Sequence, residues 1–160
     1  MSGGTVAVEV SGARGVLSRA AYDVAFSLGT VLPEPADDLG EYTRGVCLLG
    51  CSCFHGPVAG LVSIAAPMHL CEAMFADVLG ADACCDVTEQ MAQSVLGELT
   101  NMIASQVALQ LEPAEPVMMA PPTVERSTYE DWVTLDGSRD VVRLNVGGWP
   151  LLAMLSLRAA

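Results

Sequence analysis

The 160-residue chain contains no lysine, and its seven cations, all arginine, face 19 Asp and Glu, leaving a formal charge of -12 at neutral pH. Neutralising a phosphate backbone or an anionic bilayer takes clustered cations, so this composition speaks against nucleic acid and membrane surfaces as partners. A leader is not expected either: Met1-Ser-Gly-Gly-Thr has no basic region, and Glu9 breaks the first apolar run. No secretory signal is expected, and a cytoplasmic location is. The longest weakly polar run, Val58 to Leu70, is interrupted by Gly60, Ser63, Pro67 and His69 and falls short of the ~20 residues that cross about 30 Å of hydrocarbon. No Ser/His/Asp arrangement of the kind that makes a self-sufficient hydrolase is visible.

Metal ligation is not favoured either, and no cofactor is expected in this chain. Cys47, Cys51, Cys53 and His55 share one parity in a segment that reads as a strand. Neighbours on one strand face lie about 6.6 Å apart, whereas two thiolates on one zinc sit roughly 3.8 Å apart, so Cys51 and Cys53 need a bend to share an ion. Cys71 falls in a helical pattern and Cys84-Cys85 in a loop. The six cysteines read as small buried or incidental thiols. His69 is a helix-face residue, and His55, beside Gly56-Pro57, belongs to a turn.

The size suits one domain spanning 1–160, large enough to bury about two thirds of its unfolded surface. Val6 to Val10 reads as a short strand or arm. Ala13 to Leu28 is helical, with Val16, Leu17, Ala20, Ala21, Val24 and Leu28 at helical spacing and Gly29 closing it. Pro33 to Glu41 is acidic and turn-rich and reads as a loop. Thr43 to Phe54 and Val58 to Ala66 form a hairpin around His55-Gly56-Pro57, and Pro67 starts a helix that Gly80 ends. Asp86-Val-Thr-Glu89 is a capping box for a long helix running to about Leu111. Pro113 and Pro116 bar its continuation, and Val117 to Ala120 is extended. Asp131 to Leu135, Asp140 to Val146 and Trp149 to Leu157 read as strands, with Asp136-Gly137 and Gly147-Gly148 as hairpin turns. The sum is an α+β fold of two layers, a mainly antiparallel β-sheet with long helices packed on it.

The chemistry concentrates on the long helix, in Ser94-Val-Leu-Gly-Glu98-Leu-Thr-Asn101-Met-Ile-Ala-Ser105. At about 100° per residue, Ser94, Glu98, Asn101 and Ser105 fall within roughly 60° of one another, while Val95, Leu99, Met102, Ile103 and Gln106 occupy the other side. Gly97, Ala104 and Ala108 run beside the polar stripe, which predicts that a partner can approach the helix closely. Composition alone also allows an ordinary solvated face.

The stretch resembles the CheC/CheX/FliY family of chemotaxis phosphatases, and most closely its CheX branch, in which an acidic residue or Ser, three spacers, Glu, two spacers and Asn share one helix. Ser94, Glu98 and Asn101 occupy those positions. Gly56-Pro-Val-Ala-Gly60-Leu-Val-Ser-Ile-Ala-Ala-Pro67 resembles the family's strand and helix start before the site, and Pro121-Pro122-Thr123 its turn after it. The resemblance implies a CheC-like fold and hydrolysis of the aspartyl-phosphate on a CheY-like response regulator. Glu98 then engages the regulator's active-site Lys, Asn101 positions the attacking water, and Ser94 and Ser105 support them. The regulator supplies the phosphorylated Asp and Mg²⁺. These roles suit the residue types, because a neutral amide both donates and accepts, whereas a carboxylate repels a phosphoryl group but pairs with a Lys. CheC-type proteins carry a second such motif in their first helix; here Ala13 to Leu28 offers only Tyr22 and Asp23, so one site per chain is implied. Alternatives are a non-catalytic binding module of the same fold and a structural or assembly protein. The resemblance also implies a homodimer, and the run Trp149 to Leu157, apolar on both parities, is a candidate sheet edge for it.

Overall fold

Helix α1 (Val10–Leu28) and the short strand β1 (Pro33–Pro35) precede a long hairpin, β2 (Cys47–His55) and β3 (Val58–Pro67). Helices α2 (Met68–Leu79) and α3 (Glu89–Gln110) follow, then β4 (Met118–Met119), β5 (Thr123–Ser127), helix α4 (Tyr129–Asp136), β6 (Val142–Val146) and β7 (Trp149–Ala159). The structure, a computed structural model, describes residues 10–28, 33–35, 45–79, 87–111 and 115–159. Val6 to Glu9, Gly29, Ala36 to Glu41, Thr43, Gly80, Cys84-Cys85, Asp86 and Pro113, all assigned above from sequence, lie outside them. The strands form one sheet in the order β1-β6-β7-β3-β2-β4, with β5 sharing the outer side of β2, and every pairing is antiparallel. This is the expected α+β architecture.

Alternation along the hairpin sorts residues between the two faces of the sheet. Leu48, Phe54, Val62 and Ile64 are fully buried in the main core, together with Leu17 and Ala20 of α1, Cys71 of α2, and Leu96, Leu99, Ile103 and Val107 of α3. Three long helices therefore cover one face. On the other face the register aligns Leu49, Ala65 and Leu152. There Trp132 of α4 packs with Cys47, Ala65, Val141 and Leu152 in a second, smaller cluster. Gly50 brings α3 close to β2, since a Cβ at this position would collide with Thr100 Oγ1. Thr100 itself is buried, and its hydroxyl donates to the Leu96 carbonyl at 2.7 Å.

Several elements differ from the sequence expectations, each for a physical reason. Asp131 to Leu135 is not a strand but part of α4: Thr128 accepts from the Asp131 amide, and the Asp131 side chain accepts from the Thr128 amide, a reciprocal cap that starts a helix. Gly137 closes that helix instead of turning a hairpin. Pro33–Pro35, expected in a loop, pairs with Leu144 to Val146; proline is tolerated there because β1 is an edge strand. The cap of α3 is Thr88, whose side chain accepts from the Met91 amide. The helix expected from Ala13 begins at Val10. The Gly147-Gly148 hairpin forms as expected, both glycines having positive φ (61° and 86°), which is the type I′ geometry that suits strand twist. β7 is not an edge strand: Trp149 to Ala153 pairs with β6 and Leu152 to Ala159 with β3.

Candidate functional site

The outward face of α3 is built by what the inward face buries. Ala92, Leu96, Leu99, Ile103 and Val107 recur at three- and four-residue spacing and pack on the sheet, which turns the stripe between them outward. Ser94 and Glu98 are exposed on it, and Asn101 and Ser105 are half-buried. Asn101 and Ser105 line a cleft of about 360 Å³ between α1 and α3, with Asp23, Val24 and Ser27 on the α1 side and Met102 and Gln106 on the α3 side. The Ser105 hydroxyl donates to the Asn101 carbonyl at 2.8 Å, which commits its proton within the helix and leaves its oxygen as an acceptor. Among the described residues, no hydrogen bond engages the Asn101 carboxamide and no cation pairs with Glu98. Both side chains face the outside with their bonding capacity free.

Of the four residues expected from sequence, then, Asn101 and Ser105 meet in one cleft, while Glu98 and Ser94 stand outside it on the same exposed stripe, Glu98 about one turn away. The small residues of α3 serve a different purpose from the one expected. Gly97, Ala104 and Ala108 are buried, and Gly97 lies against Val124 of β5 and Pro122, so these positions face the chain's own interior rather than a partner. Gln106 is exposed and belongs to the cleft, not to the apolar side. Asp23 and Ser27 were missed as cleft residues; their side of α1 meets α3 only through tertiary packing, which the spacing within one helix does not encode.

Among the described residues the thiols are not grouped into a metal centre. Burial pushes the Cys71 thiol up to about 12, and the nearby Cys47 and Glu72 push in the same direction, so Cys71 stays protonated and inert at neutral pH. Cys51 and Cys53 are half-exposed on the far sheet face, with Cys51 Sγ 3.7 Å from Ser63 Oγ. Among the described residues no three His, Cys, Asp or Glu side chains are grouped to hold a metal ion. His69 is exposed on α2, its ring centroid 5.6 Å from that of Trp149 and its Nδ1 3.5 Å from Glu72. His55, exposed at the end of β2, borders an open hollow with Glu115 and Met118. No helix among the described residues is long and apolar enough to cross a membrane.

The family model described as chemotaxis phosphatase CheX matches residues 48–142, from the β2–β3 hairpin through the whole of α3 to the start of β6. The chain belongs to the CheX family. Solved CheX structures share its fold. A chemotaxis protein CheX from Desulfovibrio desulfuricans superimposes with a TM-score of 0.66 at 16% identity, covering 91% of this chain and 99% of that one. CheX from Vibrio vulnificus gives 0.67 at 15% identity, covering 96% and 99%. The CheX-CheY-BeF3-Mg²⁺ complex from Borrelia burgdorferi gives 0.62 at 16% identity, covering 90% and 96%. No curated protein matches the sequence significantly.

Proposed function

We propose that this CheX-family chain is a cytoplasmic phosphatase that hydrolyses the aspartyl-phosphate of a CheY-like receiver domain, using the outward face of α3. The observation that carries this reading is the Asn101 carboxamide, half-buried at a cleft with its hydrogen-bonding groups unused, one turn from an unpaired Glu98. An amide accepts a hydrogen bond from water with its oxygen and donates one with its nitrogen, so Asn101 holds the water in line with phosphorus without a required protonation state. Attack forms the new P–O bond as the bond to the receiver's Asp oxygen breaks, releasing inorganic phosphate and restoring the carboxylate. Glu98 pairs with the receiver's Lys, and Mg²⁺ stays on the receiver, where it neutralises the phosphoryl oxygens. Ser94 and Ser105 support this face, Ser105 through its bond to the Asn101 backbone. The Borrelia complex, in which a CheX holds a CheY with BeF3 and Mg²⁺, supports a receiver as the partner.

Asn101→Ala is expected to reduce acceleration of receiver dephosphorylation on the order of a hundredfold while leaving the far-UV spectrum and unfolding midpoint near wild type. Glu98→Ala is expected to weaken binding to a beryllofluoride-loaded receiver. Full turnover by Asn101→Ala, or its unfolding, would overturn the assignment of the water to Asn101.

The same reading includes a homodimer. Its support in the fold is the second half of β7: among the described residues, Met154 to Ala159 is paired on one side only, by β3, and this stretch includes Leu155 and Leu157. An apolar strand edge of this kind invites pairing with another chain.

A further inference from the structure

We propose that Thr100, seated against Gly50 of β2, is a positioning residue for Asn101: it fixes the roll of α3 about its own axis and so decides where the Asn101 carboxamide holds water. The inference rests on the phosphatase reading and concerns what aims its amide. Along the face that α3 lays on the sheet, Ala92, Leu96, Leu99, Ile103 and Val107 are apolar, and apolar contacts are non-directional. Thr100 differs from them. Among the described residues it and Ser52 are the only buried polar side chains, and it stands where β2 has no side chain of its own, at Gly50. A Cβ on Gly50 would collide with the Thr100 hydroxyl and come within 3.3 Å of the Thr100 Cβ and of Leu96 Cγ, so the strand offers a notch that this one side chain fills.

The side chain in the notch is itself held. Its β-branch restricts χ1, and its hydroxyl donates to the Leu96 carbonyl at 2.7 Å, one turn back, so rotation out of the notch breaks a buried hydrogen bond. Asn101 follows Thr100 about 100° around the axis, so an inward Thr100 sets the direction of the outward carboxamide with one peptide between them. The Asn101 carbonyl in turn accepts from the Ser105 hydroxyl at 2.8 Å, which steadies the same peptide from the turn ahead. A roll of about 10° carries a group about 6 Å from the helix axis through about 1 Å. A displacement of about that size in a group that orients a nucleophile costs on the order of a hundredfold in rate. A close-packed interface has no spare volume, so it answers a crowded or emptied notch with shifts of this kind.

The experiment is a double-mutant cycle on the full chain: Gly50→Ala, which crowds the notch, Thr100→Ala, which empties it, and the two together, which move the filling methyl group from helix to strand. The control is Ser52→Ala, which removes the other buried hydroxyl, on the same face of β2 and without a hydrogen-bond partner among the described residues. Steady-state dephosphorylation of a receiver is expected to show kcat lowered about tenfold in Gly50→Ala and about threefold in Thr100→Ala, with KM within about twofold of wild type in both. In the double variant kcat is expected to return to within about twofold of wild type, and Ser52→Ala to leave it unchanged. Unchanged kcat in both single variants beside an active wild type makes the contact structural only, which overturns the proposal and leaves the phosphatase reading intact. A raised KM at unchanged kcat assigns the contact to binding and overturns it too. So does a double variant that regains the urea midpoint without regaining kcat, or a Ser52→Ala loss equal to that of Thr100→Ala. If Gly50→Ala does not fold, Thr100→Ala and the double variant decide between the same outcomes. A wild-type chain that accelerates no receiver and binds no beryllofluoride-loaded receiver removes both readings together.

Discussion

Gly50 and Gly97 both sit where α3 meets the sheet, but an added methyl group meets opposite surroundings at the two positions. At Gly50 it would collide with Thr100, whose hydroxyl is already fixed to the Leu96 carbonyl, so strand and helix must separate. Gly50→Ala is expected to cost about 1–3 kcal/mol, read from the urea midpoint. At Gly97 the nearest atoms, of Val124 and Pro122, are at 3.4 and 3.8 Å, an ordinary contact. Gly97→Ala should therefore gain part of the ~1 kcal/mol that separates glycine from alanine in a helix interior. A loss at Gly97 would show the packing against β5 to be tighter than described. At this scale the sequence was most legible where a property belongs to one helix. Glu98, Asn101 and Ser105 share a stripe because of their spacing, and the structure presents them on one outward stripe. Asp23 and Ser27 were not legible as their neighbours, because nothing local pairs residue 23 with residue 101.

The start of α3 is fastened twice, by the Thr88 cap and by an ion pair in which the Arg126 guanidinium of β5 grips both carboxylate oxygens of Glu89, the Nη2 contact being 2.8 Å. The hydrogen bonds from Arg126 hold the Glu89 carboxyl below its ordinary value near 4.5. A carboxyl depressed in the folded state binds its proton more weakly there than in the unfolded chain. Its contribution is thus complete above about pH 4.5 and is lost as the pH falls through the lower folded value. The urea midpoint of Glu89→Gln should lie below that of wild type at neutral pH, and the gap should close on acidification and narrow with added salt, since both groups are exposed. A gap that persists once Glu89 is protonated would assign the effect to something other than charge. Among whole elements, those with a long apolar period or an unambiguous glycine turn were legible: α1, α3, the β2–β3 hairpin and the Gly147-Gly148 turn. Helix α4 was not, because Trp132-Val-Thr-Leu135 has strand-forming side chains and Asp136-Gly137 resembles a hairpin turn. The cap at Thr128 and the burial of Trp132 over Cys47 and Leu152 override that preference. Strand β1 escaped notice because two of its three residues are proline and its strand character comes from β6.

For the molecule as a whole, the sheet order decides what is left for assembly. With β7 placed between β6 and β3, the strand is paired on one side only at its two ends, Trp149 to Leu151 by β6 and Met154 to Ala159 by β3, so the proposed dimer must form there, on another strand edge, or on a helix or sheet face. Light scattering at micromolar concentration is expected to give twice the 16.7 kDa chain mass. A mass near 16.7 kDa rejects the dimer and leaves the Asn101 site untouched, because the cleft is lined by helices of a single chain.

The position of β7 also sets an order of events as the chain is made. It is the last of the strands in sequence and the one that joins the β1–β6 side of the sheet to the β2–β3 side. While the chain is still emerging from the ribosome, the β2–β3 hairpin can pair on its own and α3 can lie against it, but β6 has no strand linking it to β3 until Trp149 and the residues after it arrive. The helix that bears Asn101 therefore rests on half a sheet for the time needed to synthesise the stretch from Leu111 to Ala159, and only the final strand closes the structure beneath it.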